Sequence, residues 1–324
     1  MSAAPTLTFG LQNPRHPWWW IGERIAEALV GFTDPLLPGA RVSLTTPAAL
    51  QGALFNPIEV AAGELTFGIT TPSVSARMAT EGTGPFDRPH AGLRAIATYP
   101  HRDFIVLAVD EALGVSTLEE IVERRVPLQL VTGRMSSEGV PDVLTFAVGE
   151  ILRLYGASYE AIESWGGRVL FGGPTHVGGL AMLDGRANAL FHEAQMSPLW
   201  GQIADSRPIR VLPIRDDVRD VMAREYGFGL SEVPAGHASG ATEVTPTLDF
   251  SGWLLLCRDD VPDEWAYAVA RACDETRHHV EDGQRGRGEI EIPIDPRSLF
   301  GPTPVPLHDG ARAYAAEQGY LDAR

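Results

Sequence analysis

The chain has 324 residues, and its 42 acidic side chains outnumber 26 basic ones, for a formal charge of −16. A surface this negative repels phosphate backbones and anionic lipid, which argues against a nucleic-acid partner and against direct insertion into a membrane. Every basic residue is arginine. Without lysine, a Schiff-base enzyme and a P-loop are both excluded. Hydrophobic residues at 44% can fill a real core, and the length predicts about two domains.

The two cysteines, Cys257 and Cys273, lie in apolar stretches and read as buried free thiols. No apolar run reaches the ~20 residues of a membrane span. Met1 to Pro5 carries neither a basic n-region nor an apolar h-region. That predicts a cytoplasmic protein for the chain as written, and a periplasmic one if the N-terminus was trimmed.

Along the chain, Leu7 and Phe9 alternate with threonines as in a strand, and the turn-rich Asn13 to Pro17 follows. Ile21, Ile25, Ala28 and Leu29 then recur at helical spacing. Val42 and Leu44 mark a second strand, and Leu65, Phe67 and Ile69 a third. Ser116 and Glu119 have the spacing of a capping box. Leu128 to Val131 reads as a strand, followed by a helix carrying Val143, Ala147, Ile151 and Leu154 on one face. A helix after Gly172–Thr175 stops at Asp184–Gly185, and strands follow at Ala187–Phe191 and Ile209–Leu212. Trp253 to Cys257 is a further strand, leading to a helix opened by Asp263 and Glu264 and closed by Arg277, His278 and His279. Glu281 to Pro296 reads as an exposed loop, and a helix around Ala311 to Gln318 ends the chain. Strands alternating with helices predict an α/β fold with parallel pairing.

In open α/β sheets, ligands bind beyond the carboxyl ends of the strands. Four loops answer that description: Asn13–Trp20, Thr70–Ser73, Gly133–Ser137 and Gly172–His176. Their hydroxyls and free backbone amides suit an anion, and Arg15 and Arg134 can each fork onto a carboxylate. The alternative at each loop is that hydroxyls cap helices and the arginines are solvated. Trp18 and Trp19 are candidates to cover an apolar part of a ligand, or else pack in the core. Five histidines, His16, His101, His176, His192 and His237, fall in strand-end segments, without the spacing of a metal site. Neither a metal nor a cofactor is expected. There is no G-x-S-x-G for a serine hydrolase.

The tail Val305-Pro306-Leu307-His308-Asp309-Gly310-Ala311-Arg312-Ala313-Tyr314 resembles the C-terminal signature of the TAXI-type solute-binding proteins of TRAP transporters. Leu93–Ala97 leading into Phe104–Leu107, Gly63–Ile69, Thr83–Phe86, Leu212–Ile214 and Val233–Gly236 are similar to segments of that family, in the same order. The resemblance implies a two-lobed, periplasmic-binding-protein-like (type II) fold with a ligand cleft between lobes. Lobe 1 is expected to be discontinuous, residues 1–110 plus 240–324, with lobe 2 spanning 111–239. The implied function is capture of a small carboxylate or amino-acid-like ligand, with a membrane permease as partner. The implied ligand-binding residues are Asn13, Arg15, His16, Trp18, Trp19, Thr71, Ser73, Arg134, Ser136, Ser137, Thr175, His176, His192, Gln195 and His237. This chain departs from the family at Asn13–Trp20, at Thr71-Pro72-Ser73 and at Ser136-Ser137-Glu138, where specificity is set. The alternative is a cytosolic enzyme or sensor acting on a small carboxylic acid, aromatic ones included, with His176, His192 and Glu193 as acid–base groups.

Overall fold

A computed structural model describes residues 6–14, 16–30, 36–46, 52–136, 138–172, 175–194, 198–286 and 290–321. The strands are β1 (Thr6–Gly10), β2 (Arg41–Thr45), β3 (Phe67–Thr70), β4 (Leu93–Tyr99), β5 (Ile105–Asp110), β6 (Gln129–Thr132), β7 (Arg168–Phe171), β8 (Ala189–Glu193), β9 (Ile209–Leu212), β10 (Leu230–Val233), β11 (Thr245–Leu248) and β12 (Trp253–Arg258). The helices are α1 (Pro17–Val30), α2 (Gly52–Ala62), α3 (Ser75–Glu81), α4 (Leu118–Glu123), α5 (Val143–Leu154), α6 (Tyr159–Ser164), α7 (Thr175–Leu183), α8 (Pro198–Ser206), α9 (Asp216–Tyr226), α10 (Asp263–Glu275), α11 (Arg277–Gln284), α12 (Pro296–Leu299) and α13 (Asp309–Glu317). The α/β class expected from the sequence is the class observed.

The chain divides into two compact units, residues 1–101 with 251–324, and residues 102–250. The boundary falls before β5 rather than after it, because β5 takes its partners from β8 and β9.

Unit 1 holds a sheet in the order β2-β1-β3-β12-β4, and unit 2 one in the order β7-β6-β8-β5-β9. Pairing within each is parallel except at one strand. β12 runs antiparallel to β3 and β4, and β5 antiparallel to β8 and β9. Uniform parallel pairing, the expectation from strand–helix alternation, fails at these two for a simple reason. Each is the first strand after the chain passes from one unit to the other, so no strand–helix–strand crossover within its own sheet leads into it.

The core of unit 1 includes Phe9 stacked on Phe67, with ring centroids 4.9 Å apart, and the buried face of α1 at Trp18, Ile21 and Ile25. In unit 2, Val106, Val131 and Leu190 of the sheet close on Met182, Trp200 and Ile203 of α7 and α8. Asn56 of α2, fully buried, donates to the carbonyls of Gly10 at 2.9 Å and Ile69 at 2.7 Å. One side chain thereby fastens the carboxyl ends of β1 and β3 to the helix that covers them.

Three local expectations are corrected. The capping residue of α4 is Thr117, which accepts from the Glu120 amide at 3.2 Å, one residue beyond the Ser116–Glu119 pair. Arg277-His278-His279 open α11 rather than close α10, which ends at Glu275. Arg277 nevertheless reaches back to the Asp274 carbonyl at 2.7 Å, so it still meets the end of α10. Part of the expected 281–296 loop, Glu281 to Gln284, belongs to α11.

Asp274 ties the last segments of unit 1 together. Its buried carboxylate accepts from Tyr314 at 2.6 Å, Tyr320 at 2.9 Å and Arg277 at 2.6 Å. Replacing Asp274 with Ala strands two hydroxyls and a guanidinium, and is expected to cost about 3 kcal/mol. Urea unfolding checks this, and an unchanged midpoint would mean the clasp contributes nothing to stability.

Candidate functional site

The carboxyl ends of β1, β3 and β4 and the start of β12 share one edge of the unit 1 sheet. His16 stands at the N-terminus of α1, its Nδ1 accepting from the Trp18 amide at 3.2 Å, and Pro17 supplies the first helical residue. That bond leaves the proton of a neutral ring on Nε2. Its ring meets Trp18 edge-on with centroids 5.0 Å apart, and Trp253 lies 6.1 Å away. Trp253 in turn stacks on His101 at 4.5 Å. Four aromatic rings therefore line this edge in contact with one another.

Burial lowers the pKa of His16 to about 4 and, with help from His16, that of His101 to about 3. Both imidazoles are neutral at physiological pH. The indole N–H groups of Trp18 and Trp253 and the hydroxyls of Thr71 and Thr98 are buried with no hydrogen-bond partner among the described residues. Ser73 donates its amide to the Ser251 carbonyl at 2.9 Å. Gly252 follows at φ +88°, where a Cβ would stand 2.8 Å from that of Ser73, so only glycine fits the turn into β12.

The matching edge of unit 2 gathers the ends of β6 and β8 and the start of β5. Asp142 caps α5, accepting from the Thr145 amide at 2.7 Å, and it holds the Arg134 amide at 2.8 Å. Asp103, just before β5, is fully buried and accepts from the Phe104 amide at 2.7 Å. Burial, and then the charge of Glu193, push its carboxyl well above the usual range; the amides of Phe104 and Ala194 pull it partly back, and Asp249 adds a smaller upward push. His237 accepts from the Ser239 amide at 3.2 Å and meets Phe104 edge-on at 5.6 Å.

The residues expected from the sequence divide accordingly. Asn13, His16, Trp18, Thr71 and Ser73 belong to the unit 1 edge, and Arg134, Glu193 and His237 to unit 2. Trp19 is drawn along its own helix, donating to Glu23 at 3.1 Å. The Ser136 hydroxyl accepts from the Val140 amide at 2.9 Å and so closes its own turn. His192 is a buried β8 residue paired with Val106 rather than a loop residue. Thr175 and His176 begin α7, their side chains outside the described set, and Arg15, Ser137 and Gln195 lie outside the described residues altogether.

Trp253, Thr98, Asp103 and Asp249 were missed by sequence reasoning. Trp253 reads as one more apolar strand residue, and nothing local in Asp103 announces burial. The segments His101 to Phe104 and Asp249 to Trp253 are where the chain passes from one unit to the other and a strand begins with no helix before it, and that was the available signal. Among the described residues, no group of histidines, cysteines and carboxylates could hold a metal ion, and no helix is long and apolar enough to cross a membrane.

The histidines set a direction for acid sensitivity. Each has a folded pKa below its unfolded value near 6.5, so their contribution is complete above that pH. It is lost as pH falls through about 4 for His16 and about 3 for His101, because the unfolded chain binds protons that the folded chain refuses. Unfolding midpoints across this window should fall more steeply for the wild type than for His16→Gln or His101→Asn. Equal slopes would remove the two rings from the acid response.

Among solved structures, a periplasmic transporter is 13% identical over 99% of this chain and 96% of that one, with a TM-score of 0.49. A TctC solute-binding protein from Polaromonas is 12% identical, covering 99% of each chain, with a TM-score of 0.48. A TRAP periplasmic solute-binding protein from Sulfitobacter, with bound β-D-galacturonate, is 11% identical over 98% of this chain and 94% of that one, at 0.45. No curated protein matches the sequence. The model of the NMT1-like family matches residues 17–319, and the chain belongs to that family.

Proposed function

We propose that this protein is a solute-binding protein of the TAXI type, which captures a small carboxylate or amino-acid-like ligand and hands it to a membrane permease. The observation that carries the reading is the unit 1 edge, where two indole N–H groups and two threonine hydroxyls are buried without partners among the described residues. Each such group costs about 1–3 kcal/mol while unpaired, and an acceptor-rich ligand would offset that cost. Indole N–H groups only donate, so the complementary ligand atoms are acceptors such as carboxylate oxygens. The TAXI assignment is supported by the Val305–Tyr314 tail and by membership of the NMT1-like family. Periplasmic residence follows from this role.

Arg15, Arg134, Ser137, Thr175, His176 and Gln195 remain part of the proposal as family-implied contacts.

A thermal-shift panel of amino acids, dicarboxylates and aromatic acids at ~1 mM tests the reading. A ligand with a dissociation constant near ~10 µM stabilises by roughly 2.7 kcal/mol at that concentration. Thr71→Val and Trp253→Phe in unit 1, and Asp103→Asn in unit 2, report which edge the ligand touches. Loss of one hydrogen bond to a charged ligand weakens binding by about 1.5–3 kcal/mol, measured by calorimetry. Consumption of the ligand over time would replace capture with catalysis. A folded protein unmoved by the whole panel would count against the ligand class.

A further inference from the structure

We propose that unit 1 carries a second ligand site, a pocket for a small oxyanion at the opposite edge of its sheet. A cavity of about 360 Å³ opens there, lined by Arg88, His90 and Arg258 together with Ala61, Gly92 and the short loop between them. That volume lies within the usual range for small-molecule sites. Trp253 and Arg258 occupy opposite ends of β12, about 17 Å apart along the strand, so this site is separate from the aromatic edge.

The charge balance is unusual for this chain. Acidic residues outnumber basic ones by 42 to 26, yet no lining residue is acidic and three are basic or imidazole. Arg258 is fixed in place by Asp260, to which Nε and Nη2 donate at 2.7 and 2.9 Å. Its Nη1 lies over Gly63, where a Cβ would come within 2.1 Å. Any larger residue at position 63 would push the guanidinium aside. Arg88 forms no ion pair among the described residues. Carboxylates stand close as well: Asp259, paired with Arg94 at 3.2 Å, lies against Gly92, Asp260 holds Arg258, and Asp87 acts on His90.

His90 is held by its amide, which donates to the Ala79 carbonyl at 2.9 Å. Its pKa is lowered by partial burial and then by the charge of Arg88, with Asp87 opposing both. Of the two charges that act on the ring, that of Arg88 outweighs that of Asp87. A bound phosphate or carboxylate would accept from the Arg88 fork, meet the charge of Arg258, and favour the charged imidazole.

The test uses inorganic phosphate, titrated at constant ionic strength while the His90 ring is followed by NMR. Saturable binding with a rise in the His90 pKa is expected, and Arg88→Gln should weaken it roughly tenfold or more, as loss of a charged hydrogen bond implies. Arg88 is exposed, so this variant keeps the fold, and Arg258→Gln provides a second arm. An unsaturable response, a matching response to chloride, or unchanged affinity in Arg88→Gln would overturn the proposal. Capture at the aromatic edge, measured alongside, should be unaffected in Arg88→Gln, which separates the two sites.

Discussion

Each unit of this protein is organised by one strand that runs against its neighbours. An antiparallel strand placed among parallel ones starts where the others finish. The residues that enter it therefore arrive at the carboxyl edge, where loops and helix N-termini leave backbone groups free for a ligand. β12 delivers Gly252 and Trp253 to that edge of unit 1, and β5 delivers Asp103 and Phe104 to that edge of unit 2. Both strands begin just after the chain passes from one unit to the other.

The two passages are also bonded to each other on either side of the boundary. In unit 1 the Gly252 amide donates to the His101 carbonyl at 3.0 Å, and in unit 2 the Phe250 amide donates to Asp103 at 3.0 Å. Phe104 bridges to Asp249, and the Thr247 hydroxyl donates to the Ile105 carbonyl. Backbone pairing here satisfies groups that would otherwise be buried without partners, and it fixes the register of the strands that follow. Histidine, tryptophan and aspartate side chains at the edges inherit their positions from that register.

Much of this was legible in the sequence, because periodicity survives in a short strand or an amphipathic helix. The strands around Phe9, Val42 and Phe67 and the helix bearing Val143, Ala147 and Ile151 follow from side-chain spacing alone. The direction of a strand does not, since alternation is the same in both senses. Distant pairing explains the rest of what was hidden. His101 meets Trp253 and Asp103 meets Glu193 across large gaps in sequence, so neither the stacked pair nor the displaced carboxyl has a local sign. The loop hydroxyls were visible as residue types, but Ser136 closes its own turn whereas Thr71 keeps a buried hydroxyl unpartnered. Composition cannot tell those two fates apart.

Electrostatics then distinguishes the edges from the surface around them. The chain is strongly acidic, yet burial favours neutral His16 and His101 at one edge and the protonated form of Asp103 at the other. Desolvation removes formal charge where a ligand would otherwise meet repulsion or an unpaired ion. What remains is a set of dipoles, namely indole N–H groups, hydroxyls and imidazoles held by packing. Fixed dipoles need little reorganisation when an acceptor arrives, so in the proposed capture selectivity would rest on their placement rather than on net charge. The basic pocket at the far end of β12 works by the opposite principle, with two guanidinium groups in reach of water. A ligand there would be recognised by its charge first and its shape second.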